Sequence, residues 1–251
     1  MATTPTNIAL LSVDNTRTFE DASLNELYVS GGEKAARETH ALLATIKQAG
    51  WLLYNVFEAH PQGHISLASN YIGKSPFTLL TKDEVAAWTD DNHAIDPKAA
   101  FTLEELKAHL KKNGAQMLRP DHSIENTPGV DLMPPLSPDQ FDRTIIKGTH
   151  AHTEEYSGFN NGKLDTQLKA DGIDTVIITW VATDYCVGLS ALDAVKAGYT
   201  TYVVDEAIAG VAPETTEQML AQWKHHGVQL ISKLELSNIL TSLSTLLESR
   251  V

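Results

Sequence analysis

The sequence alternates short apolar runs with longer amphipathic segments along most of its length. The apolar runs are rich in valine, isoleucine and tyrosine, and most are continuous, which is typical of strands covered on both faces of a parallel sheet. Several of the longer segments end at a glycine, a common helix stop. The pattern predicts strands over 8–14, 51–58, 143–148, 175–182, 200–206 and 228–232, and helices over 32–50, 162–172, 184–198, 213–227 and 235–248. This alternation predicts a three-layer α/β/α fold built from right-handed βαβ units.

One long segment interrupts the alternation. Residues 67–142 contain two modest helical patterns, near 82–89 and 103–113, and the proline-rich run TPGVDLMPPLSPDQ. Their apolar content is low for a separate core. We therefore interpret residues 1–251 as a single domain with a long insertion at about 67–142.

Charge and composition narrow the range of partners. The formal net charge is −13 and lysine and arginine form no cluster, so we expect no nucleic-acid partner. The N-terminal segment lacks the features of a secretory signal, and no apolar run is long enough to span a membrane. The only cysteine, Cys186, cannot form an intrachain disulfide, which favours a cytoplasmic location.

Several predicted strands end in chemically active side chains. Ligands of parallel α/β sheets bind outside the carboxyl ends of the strands, and this edge would collect Asp14, Glu58, Lys147 and the segment 182–186. Cys186 would lie at a helix N-terminus, where the dipole and free N–H groups favour a thiolate nucleophile. The alternative is a small buried hydrophobic cysteine, with Asp14 at a turn and Lys147 at the surface.

A carboxylate and several histidines form a second group. Glu58, His60 and His64 lie in EAHPQGH, and His122 lies in LRPDHSIENTPG. These side chains are ligands suited to Zn²⁺, Mn²⁺ or Fe²⁺. The chain has ten histidines, so chance pairs are common, and a surface histidine cluster is the alternative interpretation.

Four sequence blocks carry a resemblance to a known family. They are LLSVDNTRTF (10–19), EAHPQGHISLAS (58–69), RPDHSIENTPGVDL (119–132) and VATDYCVGLSALDAVKAGY (181–199), supported by IIKGTHAHTEEYSGF (145–159). From the first strand to about residue 211, the chain resembles the isochorismatase-like cysteine hydrolases, and within them the nicotinamidase/pyrazinamidase branch. The ATDYCV block is specific for the superfamily, and the two histidine blocks are more specific for the branch.

The resemblance implies a fold and a catalytic group. The fold is a six-stranded parallel sheet with helices on both faces and Rossmann-like topology. The catalytic triad would be Asp14, Lys147 and Cys186, and the backbone N–H groups of Ala182 and Cys186 would form an oxyanion hole. The peptide bond between Val181 and Ala182 would be cis.

The resemblance also implies ligands for a metal and a substrate. A divalent ion, with zinc expected first and manganese or iron as alternatives, would be held by Glu58, His60 and His122, with His64 as a fourth ligand or a supporting group. The residues flanking the substrate ring would be Phe19 and either Tyr156 or Phe159.

The implied reaction is hydrolysis of nicotinamide to nicotinate and ammonia through a cysteine thioester, as part of NAD salvage. The implied partners are a small amide and, as is common in the family, further copies of the chain. One alternative is another amidase of the superfamily, acting on a carbamoyl, ureido or other small amide. The others are isochorismatase-type vinyl-ether hydrolysis, which does not need the cysteine, and a catalytically silent binding protein.

The departures from the family pattern surround the substrate and the metal. Glu58 stands where aspartate is usual, and the extra methylene shifts the carboxylate by roughly 1.5 Å. Thr16 replaces a glutamine. Arg119 replaces an aromatic residue and so removes a ring from the expected pocket wall. Ser123 and Asn126 replace a cysteine and a glycine.

Overall fold

A parallel sheet forms the centre of the molecule. The computed structural model describes residues 7–239. The strands are β1 (Ile8–Val13), β2 (Leu52–Glu58), β3 (Leu79–Thr81), β4 (Ala115–Met117), β5 (Arg143–Lys147), β6 (Thr175–Val181), β7 (Thr200–Ala209) and β8 (Gln229–Ile231). Six of them form a parallel sheet in the order β5-β2-β1-β6-β7-β8. The predicted six-stranded sheet is confirmed within the described residues.

Helices cover both faces of this sheet. They are α1 (Arg17–Glu20), α2 (Gly32–Gln48), α3 (Lys82–Ala86), α4 (Leu103–Asn113), α5 (Lys163–Ala170), α6 (Cys186–Lys196) and α7 (Pro213–His226). Alternate residues of β1 point to opposite faces: Leu11 joins a core with α5, α6 and α7, and Leu10 joins a core with α2. All six residues of β1 are buried, which explains its continuous apolar sequence. The three-layer α/β/α prediction is confirmed.

The predicted element bounds agree closely with the structure. β7 continues to Ala209, three residues beyond its predicted end, because it pairs again with β6 after a register shift between Ile178 and Trp180. Residues 233–239 are helical, and the rest of the helix predicted over 235–248 lies outside the described residues. Within residues 7–239, no helix is long and apolar enough to cross a membrane.

The insertion has a small apolar core of its own. β3 and β4 form an antiparallel pair, and α4 begins with a capping box between Thr102 and Glu105. The buried cluster includes Ile65, Ala68, Tyr71, Leu80, Val85, Ile95, Phe101, Leu103, Leu106, Leu110 and Leu118. The sequence pattern concealed this cluster because its members are spread among turns and short elements rather than one periodic run. The single-domain organisation stays a prediction.

Candidate active site

The strand order places the site at one edge of the sheet. The order reverses between β1 and β6, which is the point where α/β sheets of this topology open a cleft. Asp14 follows β1, Glu58 ends β2, Lys147 ends β5, and the loop after β6 leads to Cys186 at the start of α6. The strand ends therefore bring residues that are distant in the chain together at this edge of the sheet.

Lys147 lies at the centre of the buried charges. Its Nζ is 3.1 Å from Asp14 Oδ2, 3.0 Å from Glu58 Oε2 and 3.5 Å from Cys186 Sγ. Burial lowers the pKa of Lys147, but the surrounding anionic groups, Asp14 first, raise it well above its usual value. Lys147 is therefore a charged hydrogen-bond donor and not a base.

Asp14 is the carboxylate best placed to accept a proton. It is fully buried, and its Oδ1 accepts the backbone N–H of Glu58 at 3.0 Å. Burial raises the pKa of Asp14 to about 6, although Lys147 acts to lower it. Asp14 has a positive φ of 57°, a conformation that aspartate tolerates, and its N–H bonds the Val56 carbonyl at 2.7 Å. This turn directs the carboxylate into the site.

The Cys186 thiol is buried beside these groups. A carboxylate oxygen of Asp14, one of Glu58 and the Cys186 sulfur all lie within 4.8 Å of one another. Burial and the Asp14 carboxylate raise the pKa of Cys186 well above its usual value, although Lys147 acts to lower it. The resting group is therefore a thiol, which needs a nearby base to become a nucleophile.

The loop between β6 and α6 and the first residue of α6 contain the two residues predicted to bind the oxyanion, Ala182 and Cys186. The predicted cis peptide between Val181 and Ala182 is confirmed. Cys186 is the first residue of α6, so its N–H has no partner within the helix. The Ala182 carbonyl accepts the N–H groups of Tyr185 at 3.0 Å and Val187 at 3.1 Å, which curls the loop around the sulfur. An oxyanion hole at Ala182 and Cys186 stays a prediction.

Glu58, His60 and His122 converge on one point. Glu58 Oε1 is 3.0 Å from His122 Nε2 and 3.4 Å from His60 Nε2. Two ligands bound at about 2.0–2.1 Å to a tetrahedral ion lie about 3.3 Å apart. Glu58 Oε1 and His60 Nε2 are buried, and neither makes a hydrogen bond within residues 7–239. The three side chains therefore fit a divalent cation.

The hydrogen bonds of the two imidazoles support the same conclusion. His60 Nδ1 donates to the Gly148 carbonyl at 2.9 Å, and His122 Nδ1 donates to the Pro120 carbonyl at 2.8 Å. A carbonyl only accepts, so each Nδ1 carries a hydrogen and each Nε2 is the nitrogen available to a metal, the arrangement usual for metal-binding histidines. Asp14, Glu58 and Cys186 also lie close enough to share an ion, but the Lys147 ammonium already neutralises that group.

His64 does not point a free nitrogen at this cluster. Its Nδ1 is 2.8 Å from Ser66 Oγ, and its Nε2 is 3.1 Å from the Thr153 carbonyl. Its ring stacks on His60 with centroids 4.0 Å apart. Burial lowers the pKa of His64 well below its usual value, so the ring is neutral. This geometry matches the supporting role predicted for His64 rather than that of a fourth ligand.

One small cleft is lined by Cys186, Glu58 and His122. Phe19 and Tyr156 line it, whereas Phe159 packs in the core against the Tyr199 ring, with centroids 5.9 Å apart. The structure thus favours Tyr156 over Phe159 as the second ring beside a substrate. Arg119 lies in this wall, at the pocket-wall position noted from the sequence. The wall also contains residues that the sequence motifs did not assign: Leu27, Val29, Glu154, Tyr185 and Val211. Arg119 and Tyr185 lie inside recognised motifs, whereas Leu27, Val29 and Val211 carry no sequence signal.

The fold is a three-layer α/β/α arrangement with its candidate site at the carboxyl edge of the parallel sheet. The isochorismatase domain model matches residues 9–235, and the chain belongs to that family. A nicotinamidase of Acinetobacter baylyi is 30% identical over 219 residues, covering 82% of this chain and 87% of the relative.

Solved structures give the same family relationship. A nicotinamidase/pyrazinamidase of Acinetobacter baumanii has a TM-score of 0.73 and 29% identity, covering 92% of this chain and 99% of its own. A pyrazinamidase of Pyrococcus horikoshii in complex with zinc has a TM-score of 0.66 and 27% identity, covering 90% of this chain and 99% of its own.

Proposed function

We propose that this protein is an amidohydrolase that converts nicotinamide to nicotinate and ammonia. The observation that carries the proposal is the contact of Lys147 with the Cys186 thiol and with the carboxylates of Asp14 and Glu58. A thiol, a base of raised pKa and a fixed cation are the parts that acyl transfer through a thioester needs. The nicotinamidase relatives support the choice of substrate.

The first half of the reaction forms a thioester. Asp14 accepts the proton of Cys186, and the Lys147 ammonium stabilises the resulting thiolate. Sγ attacks the amide carbon, and the N–H groups of Ala182 and Cys186 bind the oxyanion, a role worth about 2.7–4 kcal/mol per donor in other enzymes. The C–N bond then breaks, and Asp14 returns its proton to the leaving ammonia.

The second half releases the acid. A water molecule gives a proton to the Asp14 carboxylate and attacks the thioester carbon, and the same N–H groups bind the oxyanion again. The C–S bond breaks, the Cys186 sulfur recovers a proton from Asp14, and nicotinate leaves. One water is consumed for each amide cleaved, and the protein returns to its starting state.

A divalent ion, with zinc the first candidate, would be held by Glu58, His60 and His122. When bound, it would supply a Lewis acid that orients the substrate through the pyridine nitrogen. Phe19 and Tyr156 line the same cleft and would contact the faces of the ring. A place in NAD salvage, a cytoplasmic location and association with further copies of the chain belong to the same proposal.

The test is ammonia release from nicotinamide by the zinc-loaded protein. We expect turnover by the wild type, its loss in Cys186→Ala, and a reduction by a chelator that added zinc reverses. Lys196→Ala, an exposed change in the last turn of the same helix, is the matched control and should stay active. An active Cys186→Ala protein would contradict the thioester mechanism. A wild type inactive on nicotinamide, but with a thiol that iodoacetamide modifies, would contradict the substrate.

A further inference from the structure

Arg119 is a buried cation in the wall of the substrate cleft. Its residue is only 6% exposed. Its backbone is fixed from both sides: its N–H donates to the Ser66 carbonyl at 2.7 Å, and its carbonyl accepts the Ala68 N–H at 2.8 Å. It follows β4 of the insertion and precedes His122 by three residues. The backbone of Arg119 is therefore fixed, and its side chain lines the same cleft as Glu58 and His122.

The charge of Arg119 has no carboxylate partner among residues 7–239. Glu58 and Glu154 line the same cleft, but neither forms an ion pair with Arg119. The guanidinium carbon lies 4.5 Å from the centre of the Tyr185 ring, a cation–π contact. Burial lowers the pKa of Arg119, but the hydroxyls of Tyr156 and Tyr185 raise it by more, so the group is charged.

A buried arginine is seldom left without an anion. Arginine offers five N–H donors in a planar fork that matches a carboxylate, and the two tyrosines supply only a ring face and hydroxyls. Tyr185, whose ring lies under the guanidinium, and Cys186 both line this cleft. A ligand that places an amide at the sulfur would therefore have Arg119 within the same small cleft.

We propose that Arg119 is a specificity-determining residue that binds an anionic substituent of the substrate, so that the preferred substrates are aromatic carboxamides that also carry a carboxylate. This inference rests on the proposed amide hydrolysis and narrows its substrate class. Nicotinamide carries no anionic substituent and would leave the guanidinium without an anionic partner. A ring carboxylate would form the two parallel hydrogen bonds that the fork offers.

The test compares nicotinamide with the isomeric nicotinamides that carry one ring carboxylate. The kcat/KM of the zinc-loaded protein is measured by ammonia release for the wild type, Arg119→Met and Arg119→Lys. We expect at least one carboxylated amide to exceed nicotinamide in the wild type. We expect Arg119→Met to lose at least about tenfold more kcat/KM on that amide than on nicotinamide, the effect of losing a hydrogen bond to a charged group. Arg119→Lys should retain part of the preference, because it keeps the charge without the fork.

A binding measurement separates this inference from the proposed function. Calorimetric titration with pyridine dicarboxylates needs no turnover, and we expect Arg119→Met to weaken their binding at least about tenfold. Arg143→Met is the control, since Arg143 pairs with Asp171 at the opposite end of β5 from Lys147. Equal losses on both substrates and unchanged dicarboxylate binding would overturn the inference while nicotinamide hydrolysis stands. Absence of all hydrolysis with Arg119-dependent dicarboxylate binding would overturn the proposed function and support the anion site.

Discussion

The sheet edge and the insertion contribute to the same cleft in different ways. The sheet edge supplies Asp14, Lys147 and Cys186, each fixed by the end of a strand or the start of a helix. The insertion supplies Arg119 and His122, which are held by contacts with irregular backbone segments. The strands and helices of the sheet therefore position the groups proposed to break the amide bond. The loops of the insertion position the groups that would determine substrate specificity.

The largest effect should follow from removing the base on the sheet edge. Asp14→Asn keeps an acceptor for the Glu58 N–H but removes the group that takes the thiol proton. We expect kcat for nicotinamide to fall by roughly 10²–10⁴-fold, the usual contribution of a general base. Circular dichroism should be unchanged. A loss below about tenfold would mean that another group accepts the proton.

On the insertion side, His122→Ala should separate binding from thiol chemistry. We expect loss of bound zinc, measured by elemental analysis, and a fall in kcat/KM of at least about 100-fold. Modification of Cys186 by iodoacetamide should continue, because Asp14 and Lys147 beside the sulfur are unchanged. His225→Ala, at an exposed position of α7, is the control and should keep its zinc. Full zinc occupancy in His122→Ala would rule out His122 as a ligand.

The two regions should unfold as one unit if the chain is a single domain. Leu106 is fully buried in the insertion cluster, and Leu53 is buried on β2. We expect Leu106→Ala and Leu53→Ala each to lower the free energy of unfolding by about 2–5 kcal/mol. Each should shift one common transition in differential scanning calorimetry. Two separate transitions, with only one moved by each change, would contradict the single-domain prediction.

The smallest expected effect concerns Glu20, a carboxyl group outside the candidate active site. Glu20 in α1 is buried, and both side-chain oxygens lack a hydrogen-bond partner within residues 7–239. Burial, with Glu33 nearby, raises the pKa of Glu20 to about 10 from 4.5. The folded state therefore retains a proton that the unfolded state releases between these values, and stability falls as pH rises through this window.

Glu20→Gln removes this titration and is the test of it. We expect the variant to gain stability over the wild type by at least about 1 kcal/mol more at pH 8 than at pH 5, measured by urea unfolding. Glu33→Gln, an exposed change at the start of α2, should show a much smaller difference. A gain that does not depend on pH would show that Glu20 is ionised in the folded protein.

The sequence indicated the strands and the helices around the sheet because local patterns determine these elements. Continuous apolar runs gave the strands, and the residues that end them gave the edge where Asp14, Lys147 and Cys186 meet. Other features depended on tertiary packing. Burial raises the pKa of Cys186, Phe159 packs against the core, and the insertion cluster is assembled from scattered residues. These features depend on contacts between residues far apart in the chain, which no sequence spacing indicates.

The Glu58 side chain is long enough to contact two neighbouring groups at once. One of its carboxylate oxygens is 3.0 Å from Lys147 and the other is 3.0 Å from His122, so the side chain spans from the buried ammonium to the imidazoles. Aspartate is shorter by one methylene, roughly 1.5 Å, and without backbone movement it could not keep both contacts. Glu58→Asp, usually regarded as a conservative substitution, would here lose the contact with either Lys147 or His122. Position 58 can change only together with the backbone that carries Lys147 or His122.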